Sequence, residues 1–143
     1  MDSSTRFKEA RDQGGAYLLA RQAGDGAFPA EAPNLHEYYK ALRAFQVCGH
    51  TDAANRLCNW IRNHGMTVDG DFGPRSGMAL GHNYAYLNAW VVIGAHRLGQ
   101  FDLSTKGMDF LARFWDPNTG GFYASPSGRD PDTEQDLMVT CMC

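Results

Sequence analysis

Apolar residues recur at helical spacing along most of this chain, and short polar turns rich in glycine and aspartate separate the apolar stretches. Such spacing is typical of helices that bury one face. The pattern predicts helices over about residues 7–21, 34–49, 53–63, 83–98 and 104–114, and a final helix beginning near residue 133. The helix over 83–98 is apolar on nearly every side, so we predict that it is buried on most of its surface.

Polar residues at the helix starts indicate several of these boundaries. Asn34 is the expected N-cap of its helix, with Glu37 at the capping-box position three residues later. Asn83 and Ser104 precede two later helices, and their short side chains can accept a hydrogen bond from a free backbone amide. The predicted order is therefore helix, turn, loop and helix, repeated along the chain.

Three turns of similar composition mark an internal repeat. They close on Phe28, Phe72 and Phe122, which are 44 and 50 positions apart, and a period in this range indicates stacked structural repeats. We predict a single domain over residues 1–143. Its three helical hairpins cover about 7–49, 50–99 and 100–143. Because such hairpins bury both faces only by stacking, the predicted fold is all-α and forms part of an α/α toroid, with an open α-solenoid as the alternative.

The last apolar run, LMVTCMC (137–143), leads us to expect a ring that this chain does not complete alone. A helix beginning near Thr133 would be short, and no capping signal or polar tail follows its apolar side. The expected partner is further sequence, or a second chain or copy, that completes the helical ring.

Composition and charge narrow the classes of function. The chain of 143 residues is 43% hydrophobic and has a net charge of −3, with its basic residues scattered, so a nucleic-acid partner is not expected. No stretch reaches the roughly 20 apolar residues that span a bilayer, and the N-terminus is polar where a secretory signal would be apolar. We expect a cytoplasmic protein without a membrane span, with its four cysteines reduced.

The turns also carry a resemblance to a known superfamily. Three of them resemble the repeats of the α/α toroids of terpene cyclases and protein prenyltransferases: DGAF (25–28), DGDF (69–72) and GGFY (120–123). Those repeats end in a glutamine, a glycine and an aromatic residue, and the first unit here has all three as Gln22, Gly26 and Phe28. The resemblance implies a central cavity in which acid–base groups cyclise or rearrange a largely apolar small-molecule substrate.

A second resemblance rests on one turn. The stretch FWDPNTGGFYAS (114–125) is similar to the Trp-Asp-Pro-x-x-Gly-Gly-Phe turns of N-acylglucosamine 2-epimerase-like proteins, which also form α/α barrels. This resemblance implies a sugar epimerase, a sugar isomerase or an enzyme like a glycoside hydrolase.

In α/α toroids the loops after the glycine turns and the first turns of the inner helices frame the mouth of the cavity, and the resemblance places the candidate residues there. The expected catalytic residues are Asp136, Glu134, His36, Glu37 and His82. The expected substrate-binding residues are Tyr39, Lys40, Asn83, Tyr86 and Trp90. Helix capping is the alternative role for Glu37 and Asn83, and core packing is the alternative for Trp90.

No metal and no cofactor are expected. Prenyltransferase catalytic subunits follow a Gly-Gly-Phe turn with an Asp-x-Cys pair that binds zinc, whereas here Met138 stands two positions after Asp136. The turn VDGDFG (68–73) lacks the alternating carboxylates of a calcium loop. The acidic run DPDTEQD (130–136) differs in spacing and order from the Asp-x-Asp-Asp motif of class II terpene cyclases.

Three hypotheses for the function follow. The leading one is a terpene-cyclase-like enzyme that cyclises or rearranges an apolar substrate by acid–base chemistry. The second is a sugar epimerase, isomerase or hydrolase-like enzyme, for which alanine at His36 or His82 should abolish turnover. The third is a non-catalytic helical-repeat scaffold, since a fold by itself carries no function.

Overall fold

The computed structural model describes residues 2–80, 83–125 and 135–143. In these residues the chain forms seven α-helices: α1 (Ser3–Leu19), α2 (Leu35–Tyr38), α3 (Ala41–Val47), α4 (Thr51–Trp60), α5 (Tyr84–Arg97), α6 (Phe101–Leu111) and α7 (Leu137–Met142). A π-helical turn, Ile61–Gly65, extends α4, and short 3₁₀ turns cover Gly77–Leu80 and Ala112–Phe114. The predicted all-α class is confirmed.

The helices pack as successive hairpins. Helix α3 packs against α4, and α5 packs against α6, each pair across a short connection; α5 also contacts α3 and α7. The central helix α5 buries most of its surface, as predicted from its nearly continuous apolar sequence. Leu42 and Phe45 of α3, Leu57 of α4 and Leu103 of α6 complete the same core and are fully buried.

The glycine turns join one hairpin to the next. Gly26 and Gly70 have φ values of +99° and +91°, in the region that favours glycine. A Cβ at Gly26 would overlap the carbonyl oxygen of Arg56 on α4, and a Cβ at Gly70 would overlap that of Lys106 on α6. Each turn therefore packs directly on the backbone of the second helix of the hairpin that follows it, and the predicted repeat has a physical counterpart.

The third turn differs from the first two. Gly120 has a φ of +79°, but a Cβ there would meet nothing within 4 Å. An antiparallel bridge between Trp115 and Phe122 closes this turn, as a bridge between Met66 and Phe72 closes the second. The glycine turn therefore occurs three times among the described residues. Only the first two of these turns pack against the backbone of a following helix there.

Two predicted boundaries are wrong. The helix predicted over 34–49 is divided into α2 and α3 by a turn at Tyr39 and Lys40, although its apolar spacing continues across the break. Ser104 does not cap α6, which begins at Phe101. Its side chain is buried within the helix, where the hydroxyl donates to the Phe101 carbonyl at 3.4 Å.

The other ends deviate by a few residues. The first helix begins at Ser3, before its predicted start, and α7 is described from Leu137 onward, so the predicted start near Thr133 lies outside the described residues. Within the described ranges, no helix combines the length and the apolar character needed to cross a membrane.

Candidate functional site

Four aromatic rings from two neighbouring helices form a continuous row. The ring centroids of His36 and Tyr39 are 6.2 Å apart, those of Tyr39 and Tyr86 are 6.0 Å apart, and those of Tyr86 and Trp90 are 6.4 Å apart. Helical geometry explains the row, because residues three or four positions apart share a face. We call His36, Tyr39, Tyr86 and Trp90 the aromatic row; all four are half-buried.

The ammonium group of Lys40 lies over this row. Its Nζ is 5.1 Å from the ring centroid of Tyr39, 5.8 Å from that of Tyr86 and 5.3 Å from that of Trp90. A cation within about 6 Å of an aromatic face is attracted by the negative face of the ring. Burial acts to lower the pKa of Lys40, but the interactions with the hydroxyl groups of Tyr39 and Tyr86 outweigh it and raise that pKa. The side chain is therefore a fixed cation.

The acid–base pair at the end of the row comes from α2. The Asn34 side chain accepts a hydrogen bond from the backbone N–H of His36 at 3.0 Å, which confirms Asn34 as the N-cap. Nδ1 of His36 lies 3.8 Å from Oε1 of Glu37, and both side chains reach solvent. Glu37 occupies the first turn of the helix, where the helix dipole favours a carboxylate. A histidine beside a carboxylate can accept or donate a proton near neutral pH.

The structure brings together six of the ten predicted site residues: His36, Glu37, Tyr39, Lys40, Tyr86 and Trp90. Trp90 is part of the row, and its buried indole N–H has no acceptor among the described residues. Tyr39 and Lys40 lie in the turn between α2 and α3, and the apolar spacing of the sequence does not show this break.

The remaining predicted residues stand apart or lie outside the described residues. Asp136 is the N-cap of α7, where its Oδ1 accepts from the backbone N–H of Val139 at 2.9 Å. Asn83 stands at the N-cap position of α5, but its side chain makes no capping hydrogen bond. His82 and Glu134 lie outside the described residues.

A second polar group, which the sequence did not predict, lies beneath the turn at Phe72. One carboxylate oxygen of Asp71 accepts from Nη2 of Arg75 at 2.8 Å and from Nδ2 of Asn88 at 2.9 Å. The Tyr84 hydroxyl donates to the other oxygen of Asp71, and the Arg75 guanidinium lies 3.6 Å from the Tyr84 ring centroid. We call Asp71, Arg75, Tyr84 and Asn88 the polar cluster.

The polar cluster fastens the second turn to α5. Asn88 is fully buried and Arg75 is 7% exposed at its side chain. Burial first, and then the hydrogen bond to Asp71, raise the pKa of Tyr84 to about 12. The Arg75 Nε is buried without an acceptor, yet the other guanidinium nitrogens are bonded. The one signal in the sequence was Asn88, a polar residue inside the apolar run LNAWVV (87–92).

An apolar cavity of about 610 Å³ lies elsewhere, between α5, α6 and α7. Its walls include Val92, Ile93, Met108, Leu111 and Phe122. Of the predicted site residues that the structure describes, none lines this cavity. The six residues that the structure brings together therefore lie apart from it.

Within the ranges that the structure describes, no three His, Cys, Asp or Glu side chains are grouped as metal ligands would be. Fold and site together define an all-α protein of stacked helical hairpins, with a lysine held against an aromatic surface between two of them. Comparison with protein families, with curated proteins and with solved structures gave no match.

Proposed function

We propose that the hairpins are consecutive segments of an α/α toroid, in which α3, α5 and α7 are inner helices and α1, α4 and α6 are outer helices. The contacts support this arrangement, because α5 contacts both α3 and α7, as the middle one of three successive inner helices would. So does the seating of Gly26 on α4 and of Gly70 on α6. A further outer helix, from additional sequence or from a second chain or copy, would cover Gly120 in the same way.

The aromatic row comes from α2, the turn after it and the inner helix α5, and in this arrangement it faces the central cavity. We infer that the row, with Lys40, His36 and Glu37, binds a carbohydrate and that the chain is part of a sugar isomerase, epimerase or hydrolase-like enzyme. The observation that carries this proposal is the combination of half-buried aromatic rings with charged side chains on one surface. Aromatic rings cover the apolar faces of a sugar, while charged groups bond its hydroxyls.

Lys40 favours a sugar over the apolar substrate of a cyclase. A carbocation bound against Tyr39, Tyr86 and Trp90 would lie close to the ammonium group of Lys40, whereas a sugar carries no positive charge. Two unit charges about 5 Å apart repel by about 3 kcal/mol at an effective dielectric constant of about 20. That repulsion exceeds the roughly 0.5–2 kcal/mol that a cation gains from one aromatic contact. Terpene-cyclase-like activity therefore has less support than sugar chemistry.

In the proposed reaction His36 and Glu37 exchange protons with the bound sugar. Their separation of 3.8 Å allows both groups to reach the same bound sugar. Removing one of two acid–base groups lowers turnover by about 10²–10⁴-fold without preventing binding.

Binding is tested by titrating the whole chain with a panel of neutral and acidic sugars and with a prenyl diphosphate analogue, read by ¹H–¹⁵N NMR shifts. We expect sugars to shift the residues around the row, and Tyr86→Ala to weaken binding about tenfold through loss of the ring contact. Tyr17→Ala is the matched control, because Tyr17 is also a tyrosine beside a cation, Arg21, but lies exposed on α1. Binding of the prenyl analogue alone would reverse the preference in favour of the cyclase hypothesis.

Turnover is tested with His36→Ala and Glu37→Gln against the sugars that bind. Loss of turnover with retained binding supports an enzyme. If sugars bind but neither variant changes any conversion, the chain is a binding scaffold and the enzymatic part of the proposal is wrong.

A further inference from the structure

The cation of Lys40 has no acidic partner. Four arginines of the described residues pair with carboxylates: Arg11 with Asp12, Arg62 with Asp102, Arg75 with Asp71 and Arg113 with Asp69. The nearest acidic residue along the chain, Glu37, lies against His36 instead. In the part of the chain that the structure describes, no carboxylate lies within ion-pair distance of the Lys40 ammonium.

The three rings place this ammonium but do not neutralise it. Aromatic faces supply an electrostatic attraction to a cation, yet they carry no net charge. The ammonium has three donor hydrogens, and it remains accessible because Lys40 is exposed. An anion approaching the row from solvent can therefore bond directly to Nζ.

Trp90 adds a second donor without a partner. Its indole N–H is buried and finds no acceptor among the described residues, while its ring lies 5.3 Å from the ammonium of Lys40. Buried donors are normally satisfied. An acceptor oxygen brought by a ligand, directly or through a water molecule, would meet that need.

From these contacts we propose that the aromatic row is an acidic-sugar subsite, in which Lys40 binds the carboxylate of a hexuronic acid whose ring packs against Tyr86. A single ammonium matches the single charge of a carboxylate. The plane of Tyr86 is inclined by 58° to that of Tyr39 and by 82° to that of Trp90, so the flat apolar face of the pyranose stacks on one ring and meets the others at an angle. This assignment rests on the proposed function, because it specifies the class of sugar that the same surface takes.

The test compares glucuronate with glucose, which differ by one carboxylate, in NMR titrations of the whole chain at low salt. The expected result is binding of glucuronate about tenfold tighter than glucose, since a charge-assisted hydrogen bond is worth about that factor. Added salt should reduce this preference.

Variants at Lys40 show whether its charge is responsible. Lys40→Met keeps most of the side chain's length without the charge, so it should bind both sugars equally, while Lys40→Arg should retain the preference. Lys8→Met removes the same charge from α1 and should change nothing. Thermal melts establish that each variant is folded. Equal binding of the two sugars by the wild type, or equal weakening of both by Lys40→Met, would overturn the inference.

The outcomes separate this inference from the proposed function. If both sugars bind equally through Tyr86, the carbohydrate proposal stands and the acidic subsite is wrong. If acetate binds in a Lys40-dependent manner and no sugar binds, the anion site stands but the carbohydrate assignment fails with the hexuronate assignment. If neither sugar nor acetate binds, both proposals are wrong.

Discussion

Asp71 shows how much of this protein's stability can depend on one side chain. It accepts hydrogen bonds from Arg75, Tyr84 and Asn88, and so links the second turn to α5. Asp69, two residues earlier in the same turn, pairs with Arg113 at the surface. The two aspartates therefore lie in the same turn and each pairs with an arginine, but the Asp71–Arg75 pair is mostly buried and the Asp69–Arg113 pair is exposed.

We predict that Asp71→Ala lowers the free energy of unfolding by about 3–5 kcal/mol, because it leaves the Arg75 guanidinium buried and without its carboxylate. Urea denaturation measures the loss. Asp69→Ala is the matched control, and it should leave the unfolding midpoint nearly unchanged because water solvates both charges of the exposed Asp69–Arg113 pair. Similar losses in the two variants would show that the polar cluster has no special role.

Tyr84 should make the fold sensitive to alkaline pH. Its pKa rises from 10.0 to about 12 through burial first and then through the hydrogen bond to Asp71. Below pH 10 the Tyr84 hydroxyl is protonated in both the folded and the unfolded chain, so its contribution to stability is fully present. Between pH 10 and 12 it ionises only in the unfolded chain, and the free energy of unfolding therefore falls as the pH rises. Tyr84→Phe should lose stability less steeply over this interval in urea titrations. Equal slopes of stability against pH for the wild type and for Tyr84→Phe would show that Tyr84 does not cause this pH dependence.

At the scale of elements, the short helix α2 places His36 and the residues that follow it. Its N-cap, Asn34, makes a side-chain hydrogen bond to the backbone of His36, whereas Asn83 before α5 makes none. We predict that Asn34→Ala costs about 1 kcal/mol and Asn83→Ala markedly less. Thermal or urea denaturation compares the two, and a larger loss at Asn83 would contradict the capping geometry.

The elements also show which structural features a sequence pattern contains. The helix α5 was predicted to within one residue at each end, because burial on every side leaves a continuous apolar run. The start of α6 was missed because no side chain caps it, and Ser104, which looks like a cap, is buried inside. The break at Tyr39 and Lys40 was missed because apolar spacing does not record a change in helix direction.

On the scale of the whole molecule, the glycine turns determine how the hairpins stack. We predict that Gly120→Ala costs about 1–2 kcal/mol, the usual cost of a side chain at positive φ. Gly70→Ala should cost about 1–3 kcal/mol more, because its Cβ would also overlap the Lys106 carbonyl. Urea denaturation of the two variants separates the cost of a side chain at positive φ from the cost of the overlap with α6. Equal losses would mean that α6 moves aside without cost.

Part of the candidate site was predictable because the chain is built from repeated units. The resemblance to α/α toroids implies that the first turns of the inner helices lie together, so His36, Tyr39, Lys40 and Tyr86 could be grouped before any coordinates. The pairing of Asp71 with Arg75 and Asn88 could not, because those contacts depend on how one turn sits on α5. Likewise, the sequence could not show that the ammonium of Lys40 lies over Trp90.

The seating of Gly26 and Gly70 has a consequence for variation between the units. The chain from Gly70 to Lys106 is six residues longer than that from Gly26 to Arg56. Five of the six lie between the glycine and the next α-helix, with 14 positions from Gly70 to Tyr84 of α5 against nine from Gly26 to Leu35 of α2. Both glycines nevertheless reach the same kind of backbone contact. Insertions after a turn can therefore remodel the entrance to the helical stack without altering its construction, which lets such an architecture acquire new selectivity while its frame persists.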